Sequence, residues 1–116
     1  PYYVNTNQDV FVRATLYYPD PNLMLFIDTC AVSPNPHDFT TLSYDLIRNG
    51  CVRDPSYRNY YSRDKKVVQF KFRPLSFLRS YSAIYLQCRM AVCNKYNYYS
   101  RCYQGCMTRG KIVTSN

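Results

Sequence analysis

Glutamate and tryptophan are absent from this chain of 116 residues, and alanine occurs only four times. Because Glu and Ala are among the strongest helix formers, this composition argues against a helical bundle. The chain also lacks an apolar run of about 18 residues, the length that a membrane helix requires. Its first residues show no basic segment followed by an apolar one, so we expect neither a membrane-inserted segment nor a signal peptide in this sequence.

Groups suited to catalysis or metal binding are scarce. The one histidine, His37, lies in a Pro-rich segment that predicts a surface turn, so no Cys–His or Ser–His–Asp arrangement can be built around it. Asp28 is the one carboxylate in a strongly apolar run, where a local hydrogen bond at a strand end is favoured over a general-acid role. The cysteine spacing does not match the ligand pairs of zinc sites. We therefore expect no enzyme activity, no metal and no cofactor.

Residues that favour β-structure dominate instead. The chain has 14 Tyr and 6 Phe, and apolar and polar residues alternate in several segments, as they do along a strand with one buried face. We predict strands at Asp9–Leu16, Leu23–Cys30, Tyr44–Ile47 (or a single turn there), Val67–Arg73, Tyr81–Cys93 and Lys111–Thr114. The polar segment 52–66 is predicted to form a long exposed loop. The fold class that follows is all-β, arranged as a two-sheet sandwich.

The alternation also assigns side chains to faces. Each strand has its own set of residues on one face. These sets are Val10, Val12, Ala14 and Leu16 in the first strand, Val68, Phe70 and Phe72 in the fourth, and Ile84, Leu86, Cys88, Met90 and Val92 in the fifth. In the second strand, Met24, Phe26, Asp28 and Cys30 are assigned to one face and Leu23, Leu25 and Ile27 to the other.

The cysteines indicate an oxidising compartment. The six residues are Cys30, Cys51, Cys88, Cys93, Cys102 and Cys106. An even number of cysteines without metal-ligand spacing favours three structural disulfides, which persist in secreted proteins. Fifteen pairings are open at this point. We therefore expect a secreted, extracellular protein.

Five blocks of sequence, in order, resemble the C-terminal half (ZP-C) of a zona pellucida module. The blocks are Ile27–Pro34, Tyr44–Cys51, Phe70–Phe72, Ile84–Cys93 and Cys102–Cys106. The resemblance assigns residues 8–108 to ZP-C, residues 1–7 to a linker and residues 109–116 to a tail before or at a cleavage region. It implies an immunoglobulin-like β-sandwich that, together with a ZP-N half of the same or a neighbouring chain, assembles secreted glycoproteins into filaments or matrices. Assembly with like or unlike chains is left open.

The same resemblance implies the disulfide pairs Cys30–Cys88, Cys51–Cys106 and Cys93–Cys102. Because Cys88 shares a face with Leu86 and Cys30 shares one with Phe26, we expect the first bond to cross the core between two sheets, as in immunoglobulin domains. Immunoglobulin domains have a buried Trp, which this sequence lacks. They also have a Tyr two residues before the second Cys and on the same face, whereas Tyr85 stands three residues before Cys88 and on the other face. The likeness to immunoglobulins is therefore one of architecture.

The family resemblance also suggests how assembly works. Many family members carry a segment after the last cysteine that blocks premature assembly, and its loss would leave a sheet edge open to strand addition. The candidate donor strand consists of Tyr2, Tyr3, Val4, Asn5, Thr6 and Asn7 of a neighbouring molecule. The alternative is that these residues form a frayed terminus.

Positive charge is concentrated in the middle of the chain. The formal net charge is +8, and a candidate anionic-ligand patch consists of Arg53, Arg58, Arg63, Lys65, Lys66, Lys71 and Arg73. With Tyr57, Tyr60 and Tyr61 interleaved, such a patch suits anionic glycans or microbial surface polymers. A solvated loop that aids solubility is the simpler alternative, and nucleic acid is not an expected ligand in an extracellular setting.

Four tyrosines surround the last cysteines. Tyr96, Tyr98, Tyr99 and Tyr103 either cover the disulfides as a small second core, the interpretation we favour, or form a contact surface for a partner. The function predicted from the whole sequence is an extracellular assembly module, with a ligand-binding receptor domain as the alternative.

Overall fold

The computed structural model describes residues 9–73, 81, 83–108 and 111–113. In these residues the strands are β1 (Val10–Thr15), β2 (Leu23–Ser33), β3 (Tyr44–Arg48), β4 (Cys51–Val52), β5 (Arg58–Tyr60), β6 (Val67–Phe72), β7 (Tyr85–Asn94), β8 (Cys106–Thr108) and β9 (Lys111–Val113). A short 3-10 turn, Arg101–Tyr103, lies between β7 and β8. The predicted all-β class is confirmed.

Two sheets face each other around one apolar core. One sheet has the order β1-β6-β5 and the other β4-β3-β2-β7, while β8 and β9 form a separate hairpin. The first sheet contributes Phe70 and Phe72 of β6 to the core, together with Tyr57, which precedes β5. Ile84, which precedes β7, also lies in the core. The second sheet contributes Ile27, Cys30, Val32, Leu46 and Ile47. The predicted immunoglobulin-like sandwich is confirmed.

A bulge in β2 changes which of its residues face the core. The pairing of β2 with β7 passes from Ile27–Met90 directly to Thr29–Arg89, so Asp28 has no partner across the ladder. A bulge of this kind shifts the alternation by one residue. Ile27 and Cys30 consequently both point into the core, and the prediction that Cys30 shares its face with Phe26 and Asp28 is wrong.

The structure contains the three disulfides Cys30–Cys88, Cys51–Cys106 and Cys93–Cys102, the same pairs that the family resemblance implies. Cys30 and Cys88 lie directly opposite each other on β2 and β7, with Cα atoms 4.1 Å apart. Because β2 and β7 are neighbours in one sheet, whereas facing sheets lie about 10 Å apart, this bond does not join the two sheets. The expectation of a bridge across the core is therefore wrong.

Segment 52–66 is only partly the exposed loop that its polar composition predicts. It contains β5, which pairs with β6, and the Tyr57 ring is 97% inaccessible, being 3% exposed and stacked on Phe70 at 5.0 Å between ring centroids. The hydroxyl of Tyr57 donates to Asn59 Oδ1 at 2.8 Å, so its one polar group is satisfied. Tyr57 is therefore a core residue and not part of a basic surface.

A tight turn joins β3 to β4. Asn49 and Gly50 both have positive φ, 52° and 80°, as the two central residues of a type I′ hairpin turn require. A β-carbon added to Gly50 would lie 2.3 Å from the carbonyl oxygen of Gly105. The turn therefore packs directly against the backbone of the segment between the 3-10 turn and β8.

The exposed fraction of β7 is larger than its alternation predicts. Ile84 is buried and Cys88 and Met90 pack against the core, but Leu86 and Val92 are 37% and 52% exposed. Among the described residues, β7 forms an edge of the four-stranded sheet, and the three-stranded sheet does not cover all of its inner face.

Tyr57→Ala is expected to lower the free energy of unfolding by about 3–5 kcal/mol, because it removes a buried aromatic ring and leaves a cavity against Phe70. The matched control is Tyr61→Ala, which alters a ring that is 83% exposed in the same segment and should change stability by less than about 0.5 kcal/mol. Urea unfolding under non-reducing conditions measures both values. Equal effects of the two substitutions would contradict the core assignment.

Candidate functional site

β7 presents one unpaired edge. Within the described part of the chain, this ten-residue strand pairs only with β2. The 4.1 Å Cα separation of Cys30 and Cys88 is that of a non-hydrogen-bonded antiparallel pair. In such a pair the backbone groups of both residues point away from the partner strand, and these pairs alternate with hydrogen-bonded ones. Cys88 and the other even-numbered residues of β7 therefore direct their backbone N–H and C=O groups away from β2.

Two further hydrogen bonds agree with this direction. Lys95, an odd-numbered residue just after β7, donates its N–H to the carbonyl of Asn22 on the β2 side at 2.7 Å. Leu25, which lies opposite Val92, donates its N–H away from β7, to the carbonyl of Lys65 at 2.9 Å. The outward-facing backbone groups thus belong to Leu86, Cys88, Met90 and Val92.

The edge carries little of the protection that exposed edges usually have. Lysine, proline and inward-pointing charges are the common devices that prevent strand pairing. Of the residues of β7, Arg89 is the charged one, and its guanidinium is occupied by Asp28 at 3.1 Å. The edge is therefore chemically suited to accept another strand.

An ionic junction holds the segment after β7 on the outer face of the same sheet. The Asp28 carboxylate, which its bulge turns away from the core, accepts hydrogen bonds from Arg101 at 3.0 Å, Arg89 at 3.1 Å and the Thr29 hydroxyl at 2.7 Å. Arg101 also lies over the Phe26 ring at 4.7 Å and donates to the carbonyl of Gly105 at 2.8 Å. The bulge and the cysteine-rich segment are thus joined through one carboxylate.

The environment of Asp28 favours its charged form. Partial burial opposes ionisation, but the hydrogen bonds from Thr29, Arg89 and Arg101 outweigh it and lower the pKa of the carboxyl below its ordinary value. The backbone reinforces the junction, since Gly50 donates its N–H to the carbonyl of Asp28 at 2.8 Å. The predicted local hydrogen bond of Asp28 is present, and longer-range ion pairs accompany it.

The candidate anionic-ligand patch is not one surface. Lys66 and Arg73 lie just beyond opposite ends of β6, and seven residues of strand span about 23 Å. Arg53, Arg58, Lys71 and Arg73 lie towards one end of the sandwich, and Arg63, Lys65 and Lys66 lie towards the other. The sequence groups these residues because they are close in the chain, but β6 separates them.

Part of this charge is neutralised. Asp9 forms ion pairs with Lys71 at 3.3 Å and with Arg73 at 3.0 Å. Arg58 keeps its charge, since among the described residues its guanidinium donates only to the neutral carbonyls of Pro55 and Tyr57. The end of the sandwich that carries these residues is therefore less basic than its composition indicates.

The tyrosines near the last cysteines do not form a second core. Tyr96, Tyr98 and Tyr99 are 63%, 67% and 92% exposed, and Tyr103 is 41% exposed. The prediction that these rings cover the disulfides is wrong, because the chain turns back on itself through Asn94 and Asn97 side-chain hydrogen bonds that project the rings outward. They form an aromatic surface instead.

A cleft of about 570 Å³ opens between the sheets, lined by Leu25, Ile27, Val52, Tyr61, Lys65 and Val67 among others. Among the described residues, no three His, Cys, Asp or Glu side chains lie close enough together to bind a metal ion. The helices of the described part include none long and apolar enough to cross a membrane. The candidate assembly strand, residues 2–7, lies outside the described residues.

Sequence reasoning missed three features of these surfaces. The bulge at Asp28 was not predicted, Arg101 was not recognised as the partner of Asp28, and Tyr17 and Lys95 were not connected with the basic segment. The bulge at Asp28 could have been suspected from a charged residue in an apolar strand. The other two depend on which loops meet in space, for which the sequence carries no local signal.

Asp28→Asn is expected to lower the free energy of unfolding by about 1–3 kcal/mol at pH 7, because it leaves the partly buried Arg101 without its anion. Asp45→Asn is the matched control, since the Asp45–Arg48 pair is more exposed and should contribute less than about 1 kcal/mol.

The pH dependence of this difference is also expected. A carboxyl whose pKa is lowered by folding stabilises the protein fully above its ordinary pKa of about 3.9 and loses that contribution as the pH falls through the lowered value. Thermal unfolding from pH 7 to pH 2 should therefore show the difference between wild type and Asp28→Asn shrinking below about pH 4. A difference that does not shrink would contradict the ionic junction.

Comparison with known proteins accounts for this architecture. The zona pellucida ZP-C domain family matches residues 1–103. The CUB and zona pellucida-like domain-containing protein 1 of Homo sapiens is 45% identical over 116 residues, covering 96% of this chain and 18% of the relative. Transforming growth factor beta receptor type 3 of Sus scrofa is 29% identical over 103 residues, covering 79% and 12%. The chain thus spans less than a fifth of the length of these relatives, and it belongs to the zona pellucida family as a ZP-C domain.

Proposed function

We propose that this ZP-C domain is a non-enzymatic assembly module that, with a ZP-N half, builds a secreted glycoprotein into filaments or a matrix. The observation that carries the proposal is the outward edge of β7. Ten residues of extended backbone, whose alternate N–H and C=O groups have no strand partner among the described residues, form a template on which an added strand gains a regular hydrogen-bond ladder.

The side chains of β7 support strand addition. Val92, 52% exposed, and Leu86, 37% exposed and six residues earlier on the same face of the strand, give a partner strand apolar contacts on the inner face of the sheet. Each backbone hydrogen bond contributes about 0.5–1.5 kcal/mol net, so four or five together stabilise a specific contact. The donor we propose is segment 2–7 of a neighbouring molecule, in which Tyr2, Val4 and Thr6 alternate with residues of the other face.

The setting we propose is the extracellular space at an epithelial or mucosal surface. Segments 44–54 and 100–109 resemble the ZP module of the mucosal glycoprotein called deleted in malignant brain tumours. Three disulfides agree with an oxidising compartment. In the domain boundaries we propose, residues 1–7 link the two halves of the module, residues 8–108 form ZP-C and residues 109–116 approach the cleavage region.

Val92→Pro in the full-length protein is expected to weaken assembly by about ten-fold or more, because proline removes one outward N–H and places its ring where the added strand must lie. The fold should tolerate the change, since proline is accepted on an edge strand when its missing N–H faces outward. The control is Val92→Thr, which keeps the N–H and the β-branched shape. Filament mass is measured by sedimentation and electron microscopy, and thermal unfolding verifies folding. Normal filaments from folded Val92→Pro would contradict the proposal.

Residues 1–116 alone, without a ZP-N half, are expected to remain monomeric, because the proposal divides assembly between the two halves. Size-exclusion chromatography with light scattering over a range of concentrations measures this. Ordered polymers of the isolated ZP-C domain would argue against that division.

A further inference from the structure

We propose that one end of the sandwich, formed by loops 16–22, 61–66 and 94–99, binds a sulfated polysaccharide; we call it the loop end. The site differs from the β7 edge and does not depend on the assembly function. It joins basic and aromatic residues that are distant in sequence.

Direct contacts hold the three loops together. Leu16 donates its N–H to the carbonyl of Lys66 at 2.9 Å, and the Lys66 ammonium donates to the carbonyl of Tyr18. Lys95 donates its N–H to the carbonyl of Asn22 at 2.7 Å. The first loop thus contacts both of the others, so the side chains of all three lie on one surface.

The loop end carries four cations, Arg63, Lys65, Lys66 and Lys95. In the described part of the structure, none of the four has a carboxylate within ion-pair distance. The two carboxylates of these loops, Asp20 and Asp64, instead accept backbone N–H groups at 2.9 Å. Both carboxylates are thus hydrogen-bonded within their own turns. Four cations against two anions leave a local excess of positive charge, which attracts a polyanion.

Exposed tyrosine rings lie among these cations. Tyr17 is 92% exposed, Tyr18 58% and Tyr96 63%. The Lys95 ammonium lies 5.4 Å from the centre of the Tyr96 ring, and the Tyr103 hydroxyl donates to the carbonyl of Lys95 at 2.6 Å. The aromatic and basic groups therefore form a single mixed surface.

Rings of this kind suit a sugar polymer. An exposed aromatic face offers a large apolar contact at low cost in side-chain entropy, while its hydroxyl remains hydrogen-bonding. A sulfated polysaccharide supplies both complementary features, namely apolar C–H faces of the sugar ring and regularly spaced anions. Nucleic acid shares this chemistry in part, but a disulfide-bonded domain belongs to an oxidising, extracellular compartment, which favours the polysaccharide.

The opposite end of the sandwich provides an internal comparison. It carries as many basic residues, but Asp9 pairs with both Lys71 and Arg73 there. That end also has exposed rings, since Phe11 and Tyr60 stack at 5.8 Å and the Lys71 ammonium lies 5.9 Å from the centre of the Tyr60 ring. Both ends therefore combine basic and aromatic side chains, and the loop end differs because none of its four cations has a carboxylate partner among the described residues.

The test compares two triple variants of the full-length protein with equal loss of charge. One is Arg63→Gln, Lys65→Gln and Lys95→Gln at the loop end, and the control is Arg13→Gln, Arg53→Gln and Arg58→Gln elsewhere. Binding of a heparin oligosaccharide is measured by calorimetry at several salt concentrations. We expect the loop-end triple to weaken binding by about ten-fold or more and to reduce its salt dependence, because three cation–anion contacts and their counterion release are lost. The control triple should change affinity by less than about three-fold, as expected from long-range attraction alone.

A second variant tests the rings. Tyr17→Ala with Tyr96→Ala should weaken binding several-fold without changing the salt dependence, because the rings carry no charge. Desulfated heparin should not bind. Equal losses from the two charge triples, or no loss from either, would overturn the proposal. Tighter binding of single-stranded DNA of the same charge than of heparin would overturn it in favour of nucleic acid.

Discussion

The register between β2 and β7 is the constraint on which most of the structure depends. Ten pairs of residues from Leu23–Asn94 to Ser33–Tyr85 place Cys30 opposite Cys88 and turn the even-numbered backbone groups of β7 outward. A slip of one residue would separate the two cysteines and exchange the inner and outer faces of the strand. The bulge at Asp28 belongs to the same pairing, because it lets Ile27 and Cys30 reach the core together and leaves the carboxylate outside for Arg101.

The strands themselves were accessible from the sequence because alternation is a local property. The strand Val67–Phe72 was predicted within one residue of its observed limits, and Tyr85–Asn94 was predicted within one residue at its end but four residues too early at its start. The buried position of Tyr57 was not predicted, since a tyrosine in a polar segment looks the same in the sequence whether its ring points inward or outward. The bulge at Asp28 misled the face assignment of Cys30, and with it the expected route of the first disulfide. Long-range geometry, which a period of two does not encode, accounts for both errors.

Charge shows the same limit at the level of the surface. The basic residues between Arg53 and Arg73 appear as one group in the sequence, but β6 carries them to opposite ends of the sandwich, and at one end Asp9 from before β1 pairs with Lys71 and Arg73. The other end gains Lys95 and Tyr17 from elsewhere in the chain. The domain therefore presents two separate surfaces, the backbone edge of β7, for which we propose strand pairing, and the loop end, for which we propose an anionic polymer. A chain within an assembly could use both at once because β7 and the loop end offer different chemical groups.

The placement of the disulfides determines how the domain would bear tension. All three attach to the four-stranded sheet and the segment after it, and β1, β5 and β6 contain no cysteine. A pulling force between Asp9 and Val113 would pass along the chain to Cys30, through sulfur to Cys88, on to Cys93, and through sulfur again to Cys102. Only roughly 40 residues lie on that path, so the covalent length is limited to about 140 Å instead of about 360 Å. Strands β3 to β6 sit inside closed covalent loops and are shielded from the load, so the disulfides more than halve the length to which the domain can be stretched.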